Sequence, residues 1–319
     1  MANILFASNN PTHWGPMASE GNTDFDATRV PYSIQWSDGV ISSPPFKATT
    51  NNVTWVHMYF KGDPSGSGIG TSEENLFSIR SDTGATLLQL RSYSGNRNTY
   101  YIFYNTDGAS NSSGGVGDGN IPRWYDIRIE ITPFLIDFEV YQNSQLVASH
   151  SYASNPANVT HVGSMSFGQP FGGTARMSEM IVADGDTKLA RLNMVRPQAA
   201  GHYQDWIGNI STLADNNLNT GITAITPNNR SSIIMQPYNN NEFISNVVVA
   251  SQHLRGQNSP SKIRHFLRTS GIDYDDASAF DVDYGATVTQ SDYSLNPATS
   301  LPWDLASVGA AEFGFKAEA

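Results

Sequence analysis

The chain has 319 residues, of which 39% are hydrophobic and only 15% charged, with a formal net charge of -11 and no cysteine. Such an acidic chain lacks the basic footprint that nucleic-acid binding needs, and without cysteine neither a disulfide framework nor a thiolate metal site can form. The length exceeds that of one usual domain, and no apolar run approaches the roughly 18 residues of a membrane span.

The N-terminus, MANILFASNN, has no basic n-region and no long apolar core. It reads as a first strand, Ile4–Ser8, and not as a signal peptide. The next stretch, to Asn52, is broken by Gly and Pro, with short strands expected at Tyr32–Trp36 and Phe46–Thr49. Val53–Lys61 is dominated by β-branched and aromatic residues and is a strong strand. A Gly-rich loop follows. Then Glu74–Arg80 and Ala85–Ser92 pair across Ser81–Gly84, because Gly accepts the positive φ of a hairpin turn. Asn98–Asn105 is the next strand, and Asp107–Asn120 is a loop with no core-forming residues.

Arg123–His150 holds the clearest pattern. Tyr125, Ile127, Ile129 and Ile131 alternate with Asp126, Arg128, Glu130 and Thr132. After Pro133, Phe134, Ile136, Phe138 and Val140 share one face, opposite Asp137 and Glu139. Strict alternation means one buried and one wet face, and an apolar sheet face needs a second sheet to cover it. Gln142–Ser144 is a turn into a third strand that starts at Gln145. Val162–Phe167 and Thr174–Ala183 complete about a dozen short strands, which points to a sandwich or jelly roll.

Leu192–Gly201 has the character of a hinge, with Pro197 and Gly201, and divides residues 1–195 from a smaller unit, 196–319. In that unit strands are expected at Ser231–Gln236, Glu242–Ala250, Lys262–Thr269, Phe280–Tyr284 and Glu312–Lys316. Trp303–Ala311 is the best helix candidate, a short element capping the final strand.

Three N-terminal segments resemble the concanavalin A-like, or laminin-G-like, sandwich: LFSIRSDTGATLLQLR, RWYDIRIEITPFLIDFEVYQNSQLV and FGGTARMSEMIVADG. The chain departs from that family at its hairpin turn, where Gln142–Asn143–Ser144 replaces the usual Asp-Gly. The C-terminal unit resembles a module of tailed-bacteriophage structural proteins, through MVRPQAAGHYQDWIG at its start and NPATSLPWDLASVGAAEFGFKA at its end. The resemblances together imply an all-β chain: a concanavalin A-like jelly-roll sandwich followed by a smaller β-sandwich-like domain. They also imply a component of a virion.

Candidate chemistry is sparse. Glu130, Asp137 and Glu139 are paired carboxylates, but the Glu-x-Asp-x-x-Glu strand pattern of the related hydrolases is absent. The histidines form no H-x-H or HExxH pattern, and no GxSxG is present. No cofactor is expected. Calcium is the alternative, at Asp273, Asp275, Asp281 and Asp283, whose oxygens suit it but whose spacing is not that of an EF-hand. The sharper candidate is a sugar site. Tyr100, Tyr101, Tyr104 and Trp124 with Asn98 supply rings for stacking and an amide for orientation, although alternation sends about half of the tyrosines into the core.

The expectation is a non-enzymatic virion structural protein on the particle surface, as a capsid decoration or tail-associated component. Its partners would be other virion proteins, further copies of itself and a host surface glycan. The alternative is an adhesin or tail-fibre lectin module that binds host polysaccharide.

Overall fold

The computed structural model describes residues 2–21, 28–62, 73–93, 97–170, 173–215, 217, 219–240, 242–257 and 259–319. The Gly-rich loop expected after Lys61 lies almost wholly outside them. The chain divides into two compact units, Ala2–Met194 and Val195–Ala319. Among the described residues, no helix is long and apolar enough to cross a membrane.

The N-terminal unit is a two-sheet antiparallel sandwich. The first sheet runs in the order Gln145–Tyr152, Leu135–Gln142, Arg123–Thr132, Val53–Lys61, Ala175–Ala183, Ser33–Trp36 and Ser19–Gly21, with Ile4–Ser8 also paired to Ala175–Ala183. The second runs Gly117–Asp118, Asn98–Tyr104, Thr86–Tyr93, Glu73–Ser81, Val162–Phe167 and Ile41–Ser42, with Ser110–Ser112 beside Asn98–Tyr104. Alternation decides the register. Tyr125, Ile127, Ile129 and Ile131 are buried opposite Gln142, Val140, Phe138 and Ile136. A one-residue slip would turn all of them to solvent.

Rings from both sheets interlock in one core. Phe60 meets Phe77 edge-on at 5.7 Å, and Phe103 tilts against Phe138 at 5.4 Å. Phe167 lies 5.5 Å from both Trp14 and Phe60. Each such ring buried contributes roughly 1.5–3 kcal/mol.

Two expectations need correction. Phe134 sits in the turn after Pro133 and is 82% exposed, so the buried series on that strand begins at Ile136. Phe46–Thr49 is not a strand: Phe46 is buried in a loop and its N–H bonds the Gly163 carbonyl. The departing hairpin turn works without glycine. Asn143 and Ser144 take φ of 48° and 65°, the left-handed pair that a type I′ turn requires.

The C-terminal unit is built on a six-stranded antiparallel sheet. Its order is Pro197–Gln204, Arg230–Met235, Glu312–Glu318, Lys262–Thr269 and Ile272–Asp275, with Phe280–Asp281 also paired to Lys262–Thr269. The segment read as a hinge is therefore this sheet's edge strand from Pro197 onward. A ribbon of Val247–His253 and Thr287–Tyr293 lies over one face, where Val247, Val249 and Tyr293 pack around Leu267, Trp303 and Phe313. The expected helix is Leu305–Ala310, started by a capping box between Asp304 and Ser307. Trp303 is buried and donates its indole N–H to the Tyr293 carbonyl at 2.8 Å.

Candidate functional site

The five residues proposed for a sugar site do not form one surface. Asn98, Tyr100 and Tyr104 share the outer face of strand Asn98–Tyr104, while Tyr101 and Phe103 point into the core. Tyr101 is fully buried, and its hydroxyl accepts a hydrogen bond from Gln142 Nε2 at 3.0 Å. It is a core residue, because the period of two that turns Tyr100 to the outer face, where it is itself 6% exposed, turns its neighbour inward. Trp124 lies on the other sheet altogether.

Around Tyr104 the second sheet carries a locked polar network. The Tyr104 hydroxyl donates to Gln89 Oε1 at 2.8 Å and accepts from Arg91 Nη2 at 3.2 Å. Arg91 also donates to Gln89 Oε1 through Nε and Nη2, at 3.0 and 2.8 Å, and to Glu73 at 2.7 Å through Nη1. Gln89 Nε2 and Asn75 Nδ2 both donate to Ser78 Oγ. Arg91 stands directly opposite Tyr100 across the strand pair. Hydrogen bonding from Tyr100, and then from Arg91, holds the Glu73 carboxyl below the usual carboxylate range. Charged and amide groups are thus fixed beside two tyrosines, with Glu73 and Arg91 still partly open to solvent at 38% and 28%. Glu73, Gln89 and Arg91 were not picked out from the sequence. The usable signal was the alternation of Leu88 and Leu90 with Gln89 and Arg91, read across to Tyr100.

The first sheet's outer face has more aromatics but is already occupied. Trp124 stands opposite Tyr59 and stacks on His57, with a centroid distance of 5.0 Å to the imidazole. Trp55 stacks on Tyr141 at 5.9 Å. The segment after strand Ala175–Ala183 crosses this face as a strap. Its Arg191 guanidinium lies 4.1 Å from the Trp124 ring centre, and its Lys188 ammonium lies 4.5 Å from Tyr141. Beneath, His57 and Asp126 form a fully buried pair at 2.8 Å, and strap Thr187 donates to the same Asp126 oxygen at 2.9 Å. The carboxylates Glu130 and Asp137 are both engaged by Arg128 on this face, and Glu139 accepts from the Tyr141 hydroxyl.

Two of the four aspartates considered for calcium, Asp273 and Asp275, are matched to cations instead. Asp275 receives both Arg230 Nη atoms at 2.8 Å, and Asp273 receives Arg268 at 2.6 Å and the Tyr203 hydroxyl at 2.7 Å. Asp281 and Asp283 are exposed and lie on a different stretch, Asp281 only 4.0 Å from Lys262. Among the described residues, no group of three or more His, Asp or Glu is placed to hold a metal.

A Ser–His–Asp cluster does occur in the C-terminal unit, but in a different order from a nucleophilic triad. Asp276 accepts from the hydroxyls of Ser291 and Tyr293. Ser291 Oγ therefore accepts from His265 Nδ1 at 2.8 Å, which leaves Nε2 to accept from Thr289 at 2.8 Å. The serine sits between imidazole and carboxylate, whereas a triad puts the imidazole in the middle. Burial, with the neighbouring Asp276 charge, pushes the Tyr293 hydroxyl well above its ordinary range. This chain of bonds joins the ribbon to the sheet.

No protein-family model matches the chain, and no curated protein does. Among solved structures, the receptor-binding domain of botulinum neurotoxin D is 11% identical, with a TM-score of 0.36 over 85% of this chain and 73% of that one. Trypanosoma rangeli sialidase is 14% identical, with a TM-score of 0.35 over 60% of this chain. A further sialidase is 8% identical, with a TM-score of 0.32 over 49% of this chain. The chain spans 30% and 15% of the lengths of these two sialidases.

Proposed function

We propose that the protein is a non-catalytic recognition protein whose N-terminal sandwich binds a carbohydrate on the outer face of its second sheet. The observation that carries this is the Tyr104–Gln89–Arg91–Glu73 network, in which oriented donors and acceptors stand beside tyrosine rings on a partly solvated sheet face. A sugar ring offers apolar C–H faces and a rim of hydroxyls. The half-buried Tyr104 ring to stack on, and polar groups that cannot swing away, meet both needs without an ordering cost at binding. Binding of polysaccharides on a glycan array, lost in Tyr104→Ala with the fold intact by circular dichroism, is the expected result. Absence of binding to every polysaccharide tested removes the reading.

The second reading is a structural component of a tailed-phage virion, on the capsid or tail. What supports it is the resemblance of Met194–Gly208 and Asn296–Ala317, the segments that supply an edge strand and an inner strand of the C-terminal sheet. The Glu-Phe-Gly close has a physical basis here. A Cβ at Gly314 would meet the Phe266 ring at 2.4 Å and the Ser231 carbonyl at 2.5 Å. Co-purification with particles through a density gradient is expected on this reading. Recovery only in the particle-free fraction contradicts it.

A further inference from the structure

We infer that the outer face of the first sheet holds a binding site for a small alkylammonium cation, kept closed by Lys188 of the strap. This site is separate from the carbohydrate face, which belongs to the other sheet.

The site is a cation cage whose walls and occupant come from different kinds of structure. The Lys188 ammonium lies 5.2 Å from the Trp55 ring centre and 4.5 Å from that of Tyr141. Those two rings stand beside each other, 5.9 Å apart and 27° from parallel. A cation over two ring faces is attracted by both quadrupoles, the mode in which aromatic cages recognise organic ammonium ligands. Asp186 supplies the counter-charge at 3.1 Å, and its hydrogen bond holds the Lys188 ammonium above the ordinary lysine range. Glu139 accepts from the Tyr141 hydroxyl at 2.8 Å and fixes that ring.

Trp55 and Tyr141 belong to Val53–Lys61 and Leu135–Gln142, strands paired on both sides within the sheet. The walls are therefore held in place whether or not the cage is filled. The occupant is not held in this way. Lys188 lies in residues 184–196, which contain no helix or strand. The strap is anchored on either side of it, by the Thr187 hydroxyl to Asp126 at 2.9 Å and by the Leu192 N–H to Glu179 at 3.0 Å. Between these anchors Leu189 is 91% exposed, and the tip meets the rings through its two cations, Lys188 and Arg191.

This arrangement sets the ligand. The Lys188 side chain is 28% exposed, so it can swing out to solvent with both anchors in place. The room it leaves is that of one lysine side chain, which suits a small alkylammonium and not a polymer. Charge points the same way, since a net charge of -11 draws cations to the chain. A tethered lysine competes at an effective concentration on the order of millimolar, so the strap sets a threshold that a free amine must exceed.

Titration of the full chain with n-butylammonium chloride, the lysine head group with its stem, tests this through the Trp55 indole N–H signal in NMR. Lys188→Ala should bind it. The wild type and Lys188→Arg, with the cage filled, should bind it at least about tenfold more weakly. n-Butanol, of the same length without the charge, should not bind Lys188→Ala. Adding Asp186→Asn, at an exposed carboxylate, to Lys188→Ala should weaken butylammonium binding several-fold, with unchanged circular dichroism. No binding by Lys188→Ala with its fold intact, equal affinity in the wild type, or equal binding of n-butanol would overturn the proposal.

Discussion

The two outer faces of the N-terminal sandwich carry the same kinds of residue and use them in opposite ways. On the first sheet, Trp55, Trp124 and Tyr141 have cations of the strap over their rings, and a buried His57–Asp126 pair anchors the strap through Thr187. On the second sheet, Arg91 is held edge-on by Gln89, Glu73 and Tyr104, without a covering segment of that kind among the described residues. Aromatic count alone would favour the first face as a ligand platform. The state of the ring partners favours the second, because the rings of the first face already carry strap cations that a ligand would have to displace.

The largest expected effect is on the strapped face. Asp126→Ala leaves His57 buried without its carboxylate, and breaking such a pair costs about 3–5 kcal/mol. Glu73→Ala on the open face should change stability far less, since exposed ion pairs contribute little. Denaturant unfolding of both variants measures the contrast, and equal losses would erase it.

Next is the core that both faces share. Burial lowers the His13 pKa from 6.5 to about 4, so between those values the unfolded chain takes up a proton that the folded chain refuses. Stability is full above pH 6.5 and falls as the pH drops toward about 4, by about 3 kcal/mol in all. His13→Gln should flatten that window in a pH series of unfolding curves. An unchanged slope would show that another group titrates there.

Smaller again, Arg91→Ala should weaken carbohydrate binding by about tenfold in calorimetry, the order of one lost hydrogen bond to a charged group. The smallest effect is Arg191→Ala. Loss of its contact with Trp124 should lower stability by about 0.5–1 kcal/mol, seen as a small drop in Tm, with carbohydrate affinity unchanged. If that variant instead bound carbohydrate more tightly, the strapped face would be the recognition face.

Much of the fold was legible in local pattern. Strict alternation from Tyr125 to Val140 placed the two central strands, and Val53–Lys61 and Lys262–Thr269 were readable end to end from β-branched and aromatic content. Pattern failed where a residue's role depends on distant chain. Leu192–Gly201 reads as a hinge because its polar and glycine content shows no alternation, and from Pro197 onward it is a strand only because Arg230–Met235 offers it an edge. Phe134 was assigned to the buried face although it immediately follows Pro133, where the chain turns. The site was half legible. Asn98, Tyr100 and Tyr104 do share a face, but that Arg91 faces Tyr100 is a matter of strand pairing, and that Trp124 belongs to the other sheet is a matter of topology.

The most direct test is a side-by-side calorimetric titration of the wild type, Tyr104→Ala and Trp124→Ala with a polysaccharide that the wild type binds. Loss of binding in Tyr104→Ala with retention in Trp124→Ala is the predicted result. Retention in Tyr104→Ala with loss in Trp124→Ala would contradict the assignment of the open face.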